Sequence, residues 1–171
     1  GEHGCGYEAS LEAWYRFLID PEPPGTVAVP MGAAQAVVQD VDATVLAQRA
    51  AFLRPDSLVA IVMLTDENDC SIVDEGYGWL IARAAPMYRA TSQCATNPND
   101  NCCQSCAETK EKPGCPAITG DAECAKANTL SAADDDPNLR CWQQKRRFGF
   151  ELLYPTTRYS DGLRNALVPQ R

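Results

Sequence analysis

The sequence predicts an α/β fold, a Rossmann-like parallel sheet carrying a disulfide-rich loop insertion. Three observations lead there. Leu58-Val-Ala-Ile-Val-Met-Leu64 is an unbroken apolar run. A strand apolar on both faces must be covered on both, as at the centre of a parallel sheet. Before it, Pro55-Asp56-Ser57 reads as a tight turn and residues 44–53 as a helix, so helix, turn and strand follow in the order of half a βαβ unit. After it, Cys94, Cys102, Cys103, Cys106, Cys115 and Cys124 lie in a stretch rich in Asn, Pro, Gly, Asp and Thr. Such a stretch is too polar to form its own core and is the kind that disulfides staple.

The elements follow in order. Leu11, Trp14, Tyr15, Leu18 and Ile19 recur at helical spacing, which predicts a helix over residues 8–20, stopped by Asp20-Pro21-Glu22-Pro23-Pro24-Gly25. Residues 26–42 read as a small-residue linker, with Val27 to Val29 as a short strand. Thr44 is the expected N-cap of a second helix that turns Leu46, Ala50 and Leu53 inward. Residues 58–64 are the central strand. A short helix is expected between Tyr77 and Tyr88, ending at Pro86, and residues 91–138 form the polar, cysteine-rich part. Within it Asp134-Asp135-Asp136 reads as a solvated acidic run. Arg140 to Tyr154 is assigned to helix, with a strand over Phe148 to Tyr154 as the alternative, and Tyr159 to Leu167 to a last short helix. Trp14, Trp79 and Trp142 are expected in the core, and Lys145-Arg146-Arg147 on a solvated helix face or paired with the acidic insertion. By this reading residues 1–72 are a partial α/β segment, 73–138 the cysteine-rich insertion, and 139–171 a helical segment returning to the same domain. A buried strand needs neighbours on both sides that this sequence scarcely offers, so the chain is expected to belong to a larger protein.

At 171 residues the chain can bury a sizeable core. Its formal charge of −8 and the lack of a long basic stripe argue against nucleic acid as a partner. No stretch has the roughly 20 apolar residues of a membrane span. Nine cysteines point to an oxidising compartment, hence an extracytoplasmic protein of the periplasm, the outer-membrane surface or the medium. A signal peptide, absent from this sequence, would then have been removed upstream of Gly1.

Open α/β sheets gather ligands beyond the carboxyl ends of their strands. Here that end reads Thr65-Asp66-Glu67-Asn68-Asp69-Cys70-Ser71. Asp66, Glu67 and Asp69 offer the oxygen donors that hard cations such as Mg2+, Mn2+ or Ca2+ prefer, with Asp66 the leading candidate. Haem attachment is excluded because Ala107, not His, follows Cys106 and the single histidine is His3. Zinc held by Cys102, Cys103, Cys106, Cys115 or Cys124 is disfavoured against disulfides. Cys5 and Cys70 are the expected pair at the rim of the site, and Cys141 completes the nine. An odd count leaves one cysteine free or bonded outside the chain. With one histidine, no Ser-His or Cys-His catalytic pair is expected.

Residues 58–69, Leu-Val-Ala-Ile-Val-Met-Leu-Thr-Asp-Glu-Asn-Asp, resemble the fourth strand of von Willebrand factor A-type domains. Gly4 to Ala13 resembles the loop and helix before it, and Leu46 to Ser57 the helix packed on it. The combination is most similar to cysteine-rich A-type domains of exported or lipid-anchored proteins of bacteria such as the myxobacteria. The resemblance spans about residues 4–72. It implies a metal-ion-dependent adhesion site in which Asp66 is a ligand. The family's Asp-x-Ser-x-Ser is missing from this chain, and no Thr stands near Cys5 or Gly6, where Glu8 or Ser10 would have to substitute. What the resemblance implies is a non-enzymatic, extracytoplasmic protein-binding or adhesion module. The alternatives are a structural subunit of a surface assembly and a metal-dependent hydrolase using Asp66, Glu67 and Asp69.

Overall fold

A computed structural model describes residues 6–165 and 168. Its regular elements are short: helices α1 (Ser10–Leu18), α2 (Ala43–Phe52), α3 (Ser92–Thr96), α4 (Gln144–Phe148) and α5 (Thr156–Arg164), and strands β1 (Pro24–Ala28) and β2 (Val37–Val41). The chain divides into two compact units, residues 1–79 with 153–171, and residues 80–152.

No parallel sheet is present among the described residues. The sheet among the described residues is a two-stranded antiparallel ribbon of β1 and β2, pairing Pro24 with Val41 and Ala28 with Val37. Residues 58–64, expected as the buried central strand, have no regular secondary structure, and Leu58 is 95%, Val62 80% and Leu64 93% exposed. The reason is one of partners. A two-faced apolar strand is buried only if other strands flank it and helices cover it, and no strand among the described residues pairs with this run. Of the short strand expected over Val27 to Val29, Val27 and Ala28 lie in β1 and Val29 falls beyond its end.

In the first unit, α1 lies against α5 through aromatic rings. Tyr15 meets Tyr159 edge-on at 5.6 Å, and Trp14 lies 5.8 Å from Tyr159. Gly162 permits this approach, since a Cβ there would sit 2.6 Å from the Tyr15 ring. The N-terminus of α1 is held from far along the chain: Asp69 Oδ1 accepts from the Leu11 amide at 2.9 Å, and Ser71 Oγ from the Glu12 amide at 3.0 Å. The carbonyls at its end and just beyond are held by Arg49 of α2, whose guanidinium donates to Arg16 O and Phe17 O in the last turn and to Asp20 O after it. A cation at the C-terminal end of a helix also opposes the helix dipole. The N-cap of α2 is Asp42, not Thr44: its Oδ1 accepts from the amides of Thr44 and Val45 at 2.9 and 3.0 Å. Leu46 and Leu53 are half-buried but Ala50 is exposed, and α2 contributes no fully buried residue.

The second unit is bound by disulfides and one buried ion pair. Cys94–Cys103, Cys102–Cys115 and Cys106–Cys124 close loops of 9, 13 and 18 residues. The Asp134-Asp135-Asp136 run is not wholly solvated. Asp135 is 4% exposed, accepts from the Met87 amide at 2.7 Å, and pairs with Arg140 at 2.8 Å. Arg140 also donates to the carbonyls of Ile81, Arg83 and Ala85. Arg147 adds the expected basic-to-acidic pairing, 2.8 Å from Asp134 O and 3.9 Å from Asp135 Oδ1. The helix expected over 140–154 contracts to α4, because Gln143 before it and Gly149 after it both take the left-handed conformation. At Gly149 a Cβ would collide with the backbone of Gln104 and Ser105. Between Tyr77 and Tyr88 the helix is a single 3-10 segment, Gly78–Ala82. The last helix begins at Thr156, earlier than Tyr159, with Pro155 fixing its entry; Ala166 and Leu167 lie outside the described residues. Trp79 and Trp142 are exposed by 40% and 46%, so they are not core residues.

Candidate protein-binding surface

The exposed run belongs to a larger apolar surface. Trp14, Phe17 and Leu18 on α1 face Phe52 and Leu53 at the end of α2, and residues 57–62 complete a groove of about 750 Å3. Phe17 and Phe52 meet edge-on at 5.5 Å. The apolar stripe that predicted α1 is thus only partly covered, since among Leu11, Trp14, Tyr15, Leu18 and Ile19 just Tyr15 is fully buried. Arg49 holds α1 and α2 in this relation through its carbonyl contacts, and burial pushes its pKa down, with Asp20 opposing.

The backbone of 58–64 is open as well. None of its amides or carbonyls hydrogen-bonds to another described residue, and none of its residues has a positive φ. Peptide groups in this state are a ready template for another strand. Exposed apolar side chains and peptide groups without a hydrogen bond to another described residue occur in the same run, Leu58 to Leu64, in which Ile61 alone is half-buried.

The carboxylates beyond the run do not converge. Asp66 and Glu67 are exposed, and Glu67 is engaged only in a local turn with Thr65 at 3.2 Å. Asp69 is turned to the N-terminus of α1: Oδ1 receives Leu11 N and Ser71 Oγ, and Oδ2 receives Ser71 N at 3.1 Å. Ser10 is the first residue of α1. The Glu8 carbonyl accepts from the Cys70 amide, while its Oε2 is buried without a hydrogen-bond partner. Among the described residues, no three His, Cys, Asp or Glu side chains form a group able to hold a metal. The sequence placed Asp66, Glu67 and Asp69 together because it placed them at the end of a strand. Without the strand, only Asp69 has a defined task, and that task is structural.

The cysteines read as possible zinc ligands are all in disulfides, as are Cys70 and Cys141; Cys5 lies outside the described residues, so its proposed bond to Cys70 does too. These disulfides fit an oxidising, extracytoplasmic environment. No helix among the described residues is long and apolar enough to cross a membrane.

One charged cluster escaped sequence reasoning. Glu12, 2% exposed, accepts from Arg158 at 2.9 and 3.2 Å, from Arg16 at 3.2 Å and from the Tyr159 hydroxyl at 2.9 Å. The Arg158 guanidinium lies between the rings of Tyr15 and Tyr154, 4.0 and 4.3 Å from their centres, and reaches Asp20 at 3.2 Å. Burial, then the adjacent Asp74 carboxylate, pushes the Tyr154 phenol up to about 12. Burial and the Glu12 carboxylate likewise raise Tyr159. Each acid here is paired, and the cluster joins α1 to α5. It is a fastening of the fold. No sequence motif announces a residue pair 146 positions apart.

Comparison with family models, curated proteins and solved structures finds no match to this chain.

Proposed function

We propose that this chain is an extracytoplasmic, non-enzymatic protein-binding module that takes an apolar segment of its partner onto residues 58–64 and the adjoining α1–α2 groove. One observation carries the reading: an uncharged run of seven residues, exposed except for the half-buried Ile61, has no peptide group paired with another described residue. Soluble proteins rarely expose large contiguous apolar patches except where another molecule binds. The open peptide groups specify how, by addition of a strand whose side chains meet the apolar ones. The disulfides support an extracytoplasmic setting, and a surface or extracellular assembly is the natural place for such a partner.

The test uses a labelled synthetic peptide, an alternating valine–threonine strand flanked by lysines, titrated with the oxidised chain and followed by fluorescence anisotropy. Saturable binding is expected, weakened at least about tenfold by Val62→Lys, which sets a charge against an apolar strand. Chelation of divalent cations should leave it unchanged. Absence of binding, or equal binding by the variant, would overturn the reading.

A further inference from the structure

We propose that Cys102–Cys115 is a thiol-exchange disulfide, opened and reclosed by a dithiol partner while Cys94–Cys103 and Cys106–Cys124 stay closed. It is independent of the protein-binding reading above. Access is the first argument. A disulfide is opened by a thiolate that reaches one of its sulfurs, and buried cysteines are inert. Cys70, Cys94, Cys103, Cys106 and Cys141 are all 7% exposed or less. Of the three bonds within the second unit, Cys102–Cys115 alone has both of its cysteines half-buried. The loop that runs into Cys115 is exposed at every residue from Glu108 to Gly114.

The second argument is the chemistry around the sulfurs. Exchange is faster when the departing thiolate is better stabilised. Asn101 Nδ2 donates to Cys115 Sγ at 4.0 Å, so negative charge developing there meets an N–H. Lys112 Nζ donates to Asn101 O at 2.9 Å and to Cys103 O at 3.0 Å, which sets an ammonium beside Cys102, between its two chain neighbours. That charge draws an incoming thiolate towards Cys102. The buried pair has the opposite surroundings. Cys94 Sγ lies 3.8 Å from Gln104 O and Cys103 Sγ 3.6 Å from Lys145 O, so a thiolate at either would face a carbonyl oxygen. Thr91 Oγ1 is 3.5 Å from Cys94 Sγ, but its one proton goes to Cys102 O.

One thiolate of the dithiol attacks Cys102 Sγ, a mixed disulfide forms, and Cys115 leaves as a thiolate. The second thiol of the dithiol then attacks the partner's own sulfur in the mixed disulfide and releases Cys102. Two electrons and two protons pass to the cysteine pair, and the dithiol is oxidised to its disulfide. Opening unties the exposed loop before Cys115, whereas Cys94–Cys103 and Cys106–Cys124 hold the chain on either side of it.

The experiment treats the oxidised chain, at neutral pH without denaturant, with rising dithiothreitol, alkylates the freed thiols and maps them by mass spectrometry. Cys102 and Cys115 should be labelled together at concentrations at least about tenfold below those that open any other bond, with faster amide exchange confined to residues 107–115. Lys112→Met and Asn101→Leu, at two exposed positions, should each slow this opening at least about threefold. A mere tether of the loop would act the other way, since cutting it would expose the bond and speed its opening. Labelling of any other disulfide-bonded cysteine first or alongside would overturn the proposal, as would opening that either variant leaves unchanged or speeds.

Discussion

The residue that most constrains the first unit is Glu12. Its carboxylate collects Arg16, Arg158 and Tyr159, while the backbone amide beneath it donates to Ser71. Glu12→Ala would leave the buried Tyr159 hydroxyl without its acceptor and leave Arg16 and Arg158 to Asp74 and Asp20, so it should destabilise the chain by about 1–3 kcal/mol, measured by chemical denaturation. Asp69→Ala should cost about 1 kcal/mol, the value of a lost helix cap, because Asp69 serves the Leu11 amide. Tyr154 sets an alkaline limit. Its folded pKa of about 12 lies above the ordinary value of 10, so its contribution is complete below pH 10 and is lost as pH rises towards 12. Denaturation midpoints across that window should fall, and less so in Tyr154→Phe. Asp121 acts at the other end. Burial raises its pKa, but hydrogen bonds from Ser92, Cys124 and Glu123 outweigh that and hold it below the usual carboxylate value. Its contribution is therefore present at neutral pH and lost as pH falls through the folded value. At this scale little was legible. The Asp before Thr44 could have been chosen as the cap, since aspartate caps at least as well as threonine, but the ligands of Glu12 come from distant chain and carry no local signature.

Among the elements, α1 and α5 show how sequence pattern and packing diverge. The apolar spacing of Leu11, Trp14, Tyr15, Leu18 and Ile19 located α1 correctly. It could not say that Trp14 and Leu18 would line an open groove. Periodicity reports which face is apolar, whereas coverage depends on what other chain is at hand. The same distinction explains residues 58–64. Their composition is that of a buried strand, and they fail to be one for want of neighbours. At Gly162 two effects oppose. An alanine inside a helix ordinarily gains about 1 kcal/mol over glycine. Here its Cβ would enter the Tyr15 ring, which is 1% exposed and cannot move aside. Overpacking of that kind costs about 1–3 kcal/mol. The clash should win, and Gly162→Ala should lower the thermal midpoint.

For the whole molecule, covalent and apolar forces hold different parts. The second unit depends on three short disulfide loops, Cys94–Cys103, Cys102–Cys115 and Cys106–Cys124, with an ion pair at Asp135–Arg140. That disulfides would staple this region was readable from cysteine density in polar sequence. Their connectivity was not, because it depends on how the loops meet in space. Each short loop of this kind stabilises by about 2–4 kcal/mol, so reduction should unfold residues 80–152, seen as loss of amide protection there. The expected parallel sheet does not form among the described residues, and the expected cation site had been placed by that sheet. Both followed from assuming that a two-faced apolar run is buried within its own chain. Under the proposed function the inference is reversed: the run would be apolar because another molecule covers it.

Amide hydrogen exchange over residues 58–64, followed by mass spectrometry of the oxidised chain alone and with the valine–threonine peptide bound, tests that claim most directly. Rapid exchange is expected in the chain alone, because these peptide groups make no hydrogen bond to another described residue, and slowed exchange confined to this segment with the peptide bound. Slow exchange in the chain alone would place the run in a sheet within its own chain and contradict the claim.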